Sequence, residues 1–298
     1  MTVRVSPNIV PDILSGLNGL KQQLNTADLE LASGRSINSP SDNPSGIAAL
    51  VLNHAAQSST DTFERNIGNL QSTLQIADSA LNSAVGVINQ AISLGVQAGN
   101  SSLSAGDRQA IAQQLQGIQQ QFLGIANTRS GATYLFAGTQ VETQPFTLNS
   151  AAASAVNYNG NGSVTQVEIA NGQAVNVNVP GDQLFLNPAG SLLGSINQLI
   201  TAVQTNSGIA AASDALGQAA SEFDTQRSFY GTALNQLQST GVFLSSQNLQ
   251  LSSQENNIDA ADVAKVTTTF SQAEVAYTAL LEAEGKILNL PNLITYLQ

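Results

Sequence analysis

No proline interrupts the chain between Ser45 and Asn100, and within that stretch Phe63, Ile67, Leu70, Leu74, Ala77, Leu81, Ala84 and Ile88 recur at alternating steps of four and three. This spacing keeps apolar side chains on one stripe of an α-helix and demands a partner stripe to cover them. A helix of about 55 residues rising ~1.5 Å per residue runs roughly 80 Å. That exceeds the width of a compact globule, so the pattern predicts an elongated helical rod.

Both ends of the chain carry shorter versions of the same stripe. The first comprises Ile13, Leu17, Leu20, Leu24, Ala27 and Leu31. The last comprises Val263, Val266, Phe270, Ala273, Tyr277, Leu280 and Ile287, with Glu284 the one polar residue in step. A break separates each from the middle. In Leu31–Leu50, "LASGRSINSPSDNPSGIAAL", Gly34 suits a left-handed helix C-cap. Asn43 suits an N-cap and Pro44 the first helical position. Arg35 favours the end of one helix and Asp42 the start of the next; they are either solvated there or in contact with a neighbouring subunit. The second break is "ENNIDAAD", where Asp259 is predicted to cap a new helix with Asp262 in its first turn.

Between the long segments the character changes. Ser104 caps a helix with Ile111, Leu115, Ile118, Phe122 and Ile125 on one face. "GATYLFAG" (Gly131–Gly138) has Tyr134 and Phe136 at strand spacing. Asn159-Gly160 or Asn161-Gly162 is predicted to be a hairpin turn, and Asn171-Gly172 another. Val175, Val177 and Val179 alternate with Asn176 and Asn178, as in a strand covered on one face. Helix resumes near Leu192. From Leu216 a stripe runs through Ala220, Phe223, Tyr230, Leu234, Leu237, Leu244, Leu251 and Ile258.

The predicted fold is mainly α: an antiparallel helical rod or coiled coil formed by the N- and C-terminal halves, with a small inserted β domain at its tip. Residues 1–42 and 256–298 form a terminal coiled-coil segment, ordered on assembly. Residues 43–138 and 191–255 form the helical rod with a short β-hairpin, and residues 139–190 the inserted β domain. The break at Leu31–Leu50 is expected to uncouple the terminal stripe from the rod.

Chemistry finds little footing. There is no cysteine and one histidine, His54, so thiolate sites and two-histidine metal sites are absent within one chain. His54 has no GxSxG elbow to serve, and a lone histidine on a long helix reads as a surface or packing residue. Gly285-Lys286 lacks the first glycine of a phosphate loop. Neither an enzyme nor a cofactor is expected. Nine lysines and arginines against a net charge of −11 argue against nucleic acid and against an anionic membrane surface. Charged residues make up only 10% of the chain, and such a weakly repulsive surface suits a subunit that associates with its own copies. No signal peptide or transmembrane run is evident.

"ASGRSINSPSDNPSGIA", "LSAGDRQAIAQQLQGIQQQFLGIANTRSGATYLFAG" and "IDAADVAKVTTTFSQAEVAYTALLEAEGKILNLPNLITYL" resemble, in order and spacing, the terminal regions of the flagellin superfamily. The proline-bearing "SPSDNPSG", the segment "YNGNGS…VPGDQLF" and the ending "LITYLQ" resemble its hook–filament junction branch more than flagellin itself. Two positions depart from that pattern: Asn43, where the family often has a second Asp, and Thr295, where it has an acidic residue. The resemblance implies a structural component of the extracellular flagellum, exported unfolded by the flagellar type III apparatus. It also implies a dedicated export chaperone, and a ring of like subunits flanked by hook-associated protein 1 and flagellin. An assembly interface then falls on Ile13, Leu17, Leu20, Leu24, Leu31, Val263, Val266, Phe270, Tyr277, Leu280 and Ile287, next to the break at Gly34, Arg35, Asp42, Asn43 and Pro44. Two alternatives are a flagellin-like filament subunit and a secreted adhesin.

Overall fold

The computed structural model describes residues 9–149, 151–152, 154–187 and 190–288. The fold is mainly α, with small antiparallel sheets. The helices are α1 (Ile9–Ser33), α2 (Pro44–Ala98), α3 (Ala105–Ala126), α4 (Gly181–Phe185), α5 (Leu192–Thr205), α6 (Ile209–Asp259) and α7 (Val263–Leu288). The strands β1 (Arg129–Ser130), β2 (Thr133–Tyr134), β3 (Phe146–Leu148), β4 (Val156–Tyr158), β5 (Gln166–Ala170) and β6 (Gln173–Asn176) form three two-stranded antiparallel sheets. The chain divides into two compact units: residues up to Ser59 with those from Asn248 onward, and Thr60–Gln247.

The second unit holds the larger core. α2 presents Leu74, Ala77, Leu81, Ala84 and Ile88, all buried, as its four-three spacing predicts. α3 begins on a capping box in which Ser104 and Asp107 satisfy each other's backbone N–H, and it packs on α5. At Gly95 α2 lies close to α5 and α6: a Cβ there would lie 2.3 Å from Ser213 Oγ and 3.1 Å from Leu199 Cδ2. Phe185 of α4 meets Phe122, Phe136 and Phe146 edge-on at centroid distances of 5.6, 5.3 and 5.4 Å. These are the favoured T-shaped arrangements, and they bind the strand region to the helices.

Asn171-Gly172 forms a two-residue loop closing β5 on β6, with Ala170 paired to Gln173. The ladder stops at Asn176, after which the buried Asn178 side chain takes over, accepting from Thr165 N–H at 2.7 Å and donating to Ser163 O at 3.2 Å. Asn159–Gly162 is not a hairpin turn. β3 and β4 are closed by the segment between Leu148 and Val156. Asn161 instead pins the chain back to Thr139, whose N–H it accepts at 3.0 Å. The flanking strands β4 and β5 do not pair with each other, and the Asn161 N–H goes to Ala137 O instead.

In the first unit α1 packs on α7, burying Leu17 and Ala27 from one helix and Val266 and Ala273 from the other.

Candidate functional site

Two interruptions in helix, 33–44 and 259–263, lie against each other in the first unit. Gly34 takes φ +70° and its N–H returns to Glu30 O at 2.9 Å, ending α1 as a left-handed cap does. Asp42 accepts the N–H groups of Asn38 and Ser39 at 3.0 and 2.7 Å, folding the intervening turn. Asn43 Oδ1 accepts Gly46 N–H at 2.9 Å, so Asn43 is the N-cap of α2 and Pro44 its first residue. Gly46 is buried; a Cβ there would lie 2.7 Å from Ile37 Cδ1, so Ile37 seats on the bare backbone of α2.

The second interruption differs from its prediction. Asp262, not Asp259, caps α7: its carboxylate accepts Lys265 N–H at 3.1 Å. Asp259 is the last residue of α6, only 3% exposed, and its carboxylate faces the first interruption. It accepts the Arg35 guanidinium at Nε and the Ile37 N–H at 3.0 Å. Main-chain bonds run alongside, from Ser36 N–H to Asp259 O and from Ala261 N–H to Gly34 O at 3.0 Å, and Arg35 and Ala260 form an antiparallel bridge. Arg35 therefore pairs within its own chain, 224 positions away, and not with Asp42. A charge-assisted bond to a buried carboxylate outweighs a solvated pair across an exposed turn.

A second carboxylate extends this network. Glu255 on α6 accepts from His54 Nε2 at 2.8 Å and from Gln57 at 3.0 Å on α2, and pairs with Arg35 at 3.5 Å. The His54 hydrogen bond foremost, then that of Gln57, with weaker help from the charges of His54 and Arg35, holds the Glu255 carboxyl below its ordinary range. Asn53, buried nearby, donates to Leu251 O at 3.0 Å. His54 is thus a tie between two helices. Among the described residues no group of three His, Asp or Glu side chains could hold a metal.

The apolar stripe beside this network is unevenly covered. Leu17 and Val266 are buried, while Ile13, Leu20, Leu24, Leu31, Phe270, Tyr277 and Leu280 are half-buried. Val263 is 58% exposed. Ile287 lies in α7, but its side chain is outside the described residues. Leu14, Leu29, Val275 and Leu281, off the stripe, are also exposed. A groove of about 740 Å³ lies beside the interruptions, lined by Gln23, Ala27, Glu30, Ala261, Lys265 and Thr269 among others. The periodic reading missed Ile37, Glu255 and the true role of Asp259, since spacing along one helix carries no trace of a partner two hundred residues distant.

No curated protein matches the chain. A family profile described as the bacterial flagellin N-terminal helical region matches residues 12–141. Among solved structures, one of a putative flagellar hook-associated protein from Vibrio parahaemolyticus is 21% identical, with TM-score 0.66, covering 74% of this chain and 100% of its own. The flagellar junction protein FlgL from Legionella pneumophila is 18% identical, with TM-score 0.60 and coverage of 72% and 100%. FlgL of Bacillus cereus is 21% identical, with TM-score 0.58 and coverage of 70% and 100%. Residues 12–141 thus match the profile of the bacterial flagellin N-terminal helical region, in a chain whose fold is similar to those of flagellar hook-associated and junction proteins.

Proposed function

We propose that this chain is a structural subunit of the bacterial flagellum, a hook-associated protein 3 that connects hook to filament by coiled-coil packing of its terminal helices with neighbouring copies. The observation that carries this reading is the likeness, over their whole length, to structures of a hook-associated protein and of FlgL junction proteins. The surface agrees with it. Leu14, Leu29, Val263, Val275 and Leu281 stay exposed on α1 and α7, and apolar area of that kind is covered in assemblies. The subunits would form a ring between hook-associated protein 1 and flagellin, after export in an unfolded state from a cytoplasmic chaperone. None of the described helices is long and apolar enough to cross a membrane.

In this reading the terminal segments, residues 1–42 and 256–298, gain their full order in the ring. The test is electron microscopy of a deletion strain, which should show hooks without filaments and flagellin shed into the medium. Complementation with Leu24→Asp or Phe270→Asp should fail although the second unit stays folded; wild-type motility in either would refute the proposal. Strong amide protection of α1 and α7 in the isolated subunit would refute ordering on assembly. The flagellin N-terminal match also favours a filament subunit. Such a subunit would polymerise alone into long fibres, whereas a junction subunit needs its neighbours.

A further inference from the structure

Four asparagines precede glycine: Asn18, Asn159, Asn161 and Asn171. This pairing carries a chemical liability, because glycine offers no side chain to keep its main-chain nitrogen from the preceding carboxamide. The fold treats the four differently. Asn18 lies within α1, whose geometry turns the following N–H away along the helix axis. Asn159 donates from Nδ2 to Thr147 Oγ1 at 3.1 Å and to Gln144 O at 3.4 Å. Its glycine is wedged, with a Cβ position 2.6 Å from the Tyr158 ring and 2.7 Å from Ala137 O. Asn161 accepts from the N–H groups of Thr139 and Ser163 at 3.0 and 3.2 Å, and donates to Thr139 Oγ1 at 2.7 Å.

Asn171 has none of these restraints. It sits with Gly172 in the exposed two-residue loop between β5 and β6. Its carboxamide makes no hydrogen bond to any described residue. Gly172 has φ +72° with open space around its Cβ position. One contact restrains the reacting nitrogen: Gly172 N–H donates to Glu168 Oε1 at 3.0 Å.

We propose that Asn171 is a site of spontaneous deamidation, with water as the only co-reactant and Glu168 slowing the reaction. Gly172 N gives up its proton to solvent base and attacks Asn171 Cγ, forming an N–C bond. The carboxamide C–N bond breaks and ammonia leaves, giving a succinimide. Water adds to either ring carbonyl and opens it to aspartate or isoaspartate, so a neutral amide becomes a carboxylate without oxidation or reduction. The isoaspartate product lengthens the main chain by one carbon at a loop of two residues and brings a second negative charge close to Glu168. Because the Glu168 bond keeps the proton on Gly172 N, it must open before attack.

The test is prolonged incubation of the intact protein at mildly alkaline pH, with peptide mapping by mass spectrometry and an isoaspartate assay. Breaking two carboxamide hydrogen bonds cuts a reactive population by roughly tenfold or more, so Asn171 should convert at least about tenfold faster than Asn159 or Asn161. In concentrated urea the four sites should converge to within a few-fold. Equal native rates, no conversion at Asn171, or selectivity that persists in urea would each overturn the proposal. Glu168→Ala should accelerate conversion several-fold; an unchanged or lower rate would overturn the role given to Glu168.

Discussion

Replacing Asp259 with alanine tests the tie between the two interruptions directly. The change removes two acceptors at once. The Ile37 N–H loses its only side-chain partner at a residue 6% exposed, and a buried donor left unpaired costs about 1–3 kcal/mol. Arg35 also loses one of its two carboxylate partners, keeping Glu255 at 3.5 Å, and its side chain is about half exposed, so water recovers most of that bond and the loss is about 0.5–1 kcal/mol. The sum is about 1.5–4 kcal/mol, all within the first unit. Asp259→Asn keeps an oxygen for Ile37 but loses the charge and turns an NH2 donor toward Arg35, whose half-exposed side chain water can serve, so it should cost about 1 kcal/mol or less. The assay is native-state amide exchange at Ser36, Ile37 and Ala261, with Leu115 and Phe223 as internal controls in the second unit. At ~1.36 kcal/mol per decade, the alanine variant should exchange roughly 10- to 1,000-fold faster at the three reporters, with the controls unmoved. Equal acceleration in both variants would show that charge, not the Ile37 bond, carries the tie. No acceleration in either would refute it altogether.

Three further predictions follow from other packing and charge features. Gly95→Ala should destabilise the second unit by about 1–3 kcal/mol through overpacking against Leu199 and Ser213, seen as a lower urea midpoint with unchanged slope. Phe185→Ala should cost about 3–5 kcal/mol, because the rings of Phe122, Phe136, Phe146 and Phe223 around it cannot close over the void; a loss under about 1 kcal/mol would contradict the packing described. The Glu255 carboxyl is held below its ordinary value of 4.5. Its contribution is therefore present above that value and lost as pH falls toward the lower folded value, with Arg35, His54 and Asp259 as the charged groups around it. An acid titration followed by exchange at Ala261 should show a step in that window, and His54→Gln should shrink it.

Much of this architecture was legible because period alone specifies which side of a helix is covered. Leu74, Leu81 and Ile88 follow from four-three spacing, and Asn43-Pro44 follows from the backbone preferences of an N-cap and a first helical residue. Ser104 announced α3 for the same local reason. What period cannot supply is the identity of the opposing element. Asp259 looked like a cap because an aspartate near a phase slip usually is one, yet a nearby Asp262 does that work and frees Asp259 for Arg35. Val263 keeps the step yet is 58% exposed, so its place in the stripe misreports its cover. In the "NGNG" segment the Asn-Gly pairs suggest a hairpin that does not form: β4 pairs with β3 and not with β5, and Asn161 bonds Thr139, a partner that turn chemistry alone does not reveal.

Because main-chain atoms of Gly34 and Ala261, and of Ser36 and Asp259, hold one another, the two places where the chain could bend are a single joint. A torque on α1 is passed to α7 through backbone atoms before any side chain has to move. The terminal helices therefore swing together as one lever, and any angle they adopt in response to a load is shared by both arms.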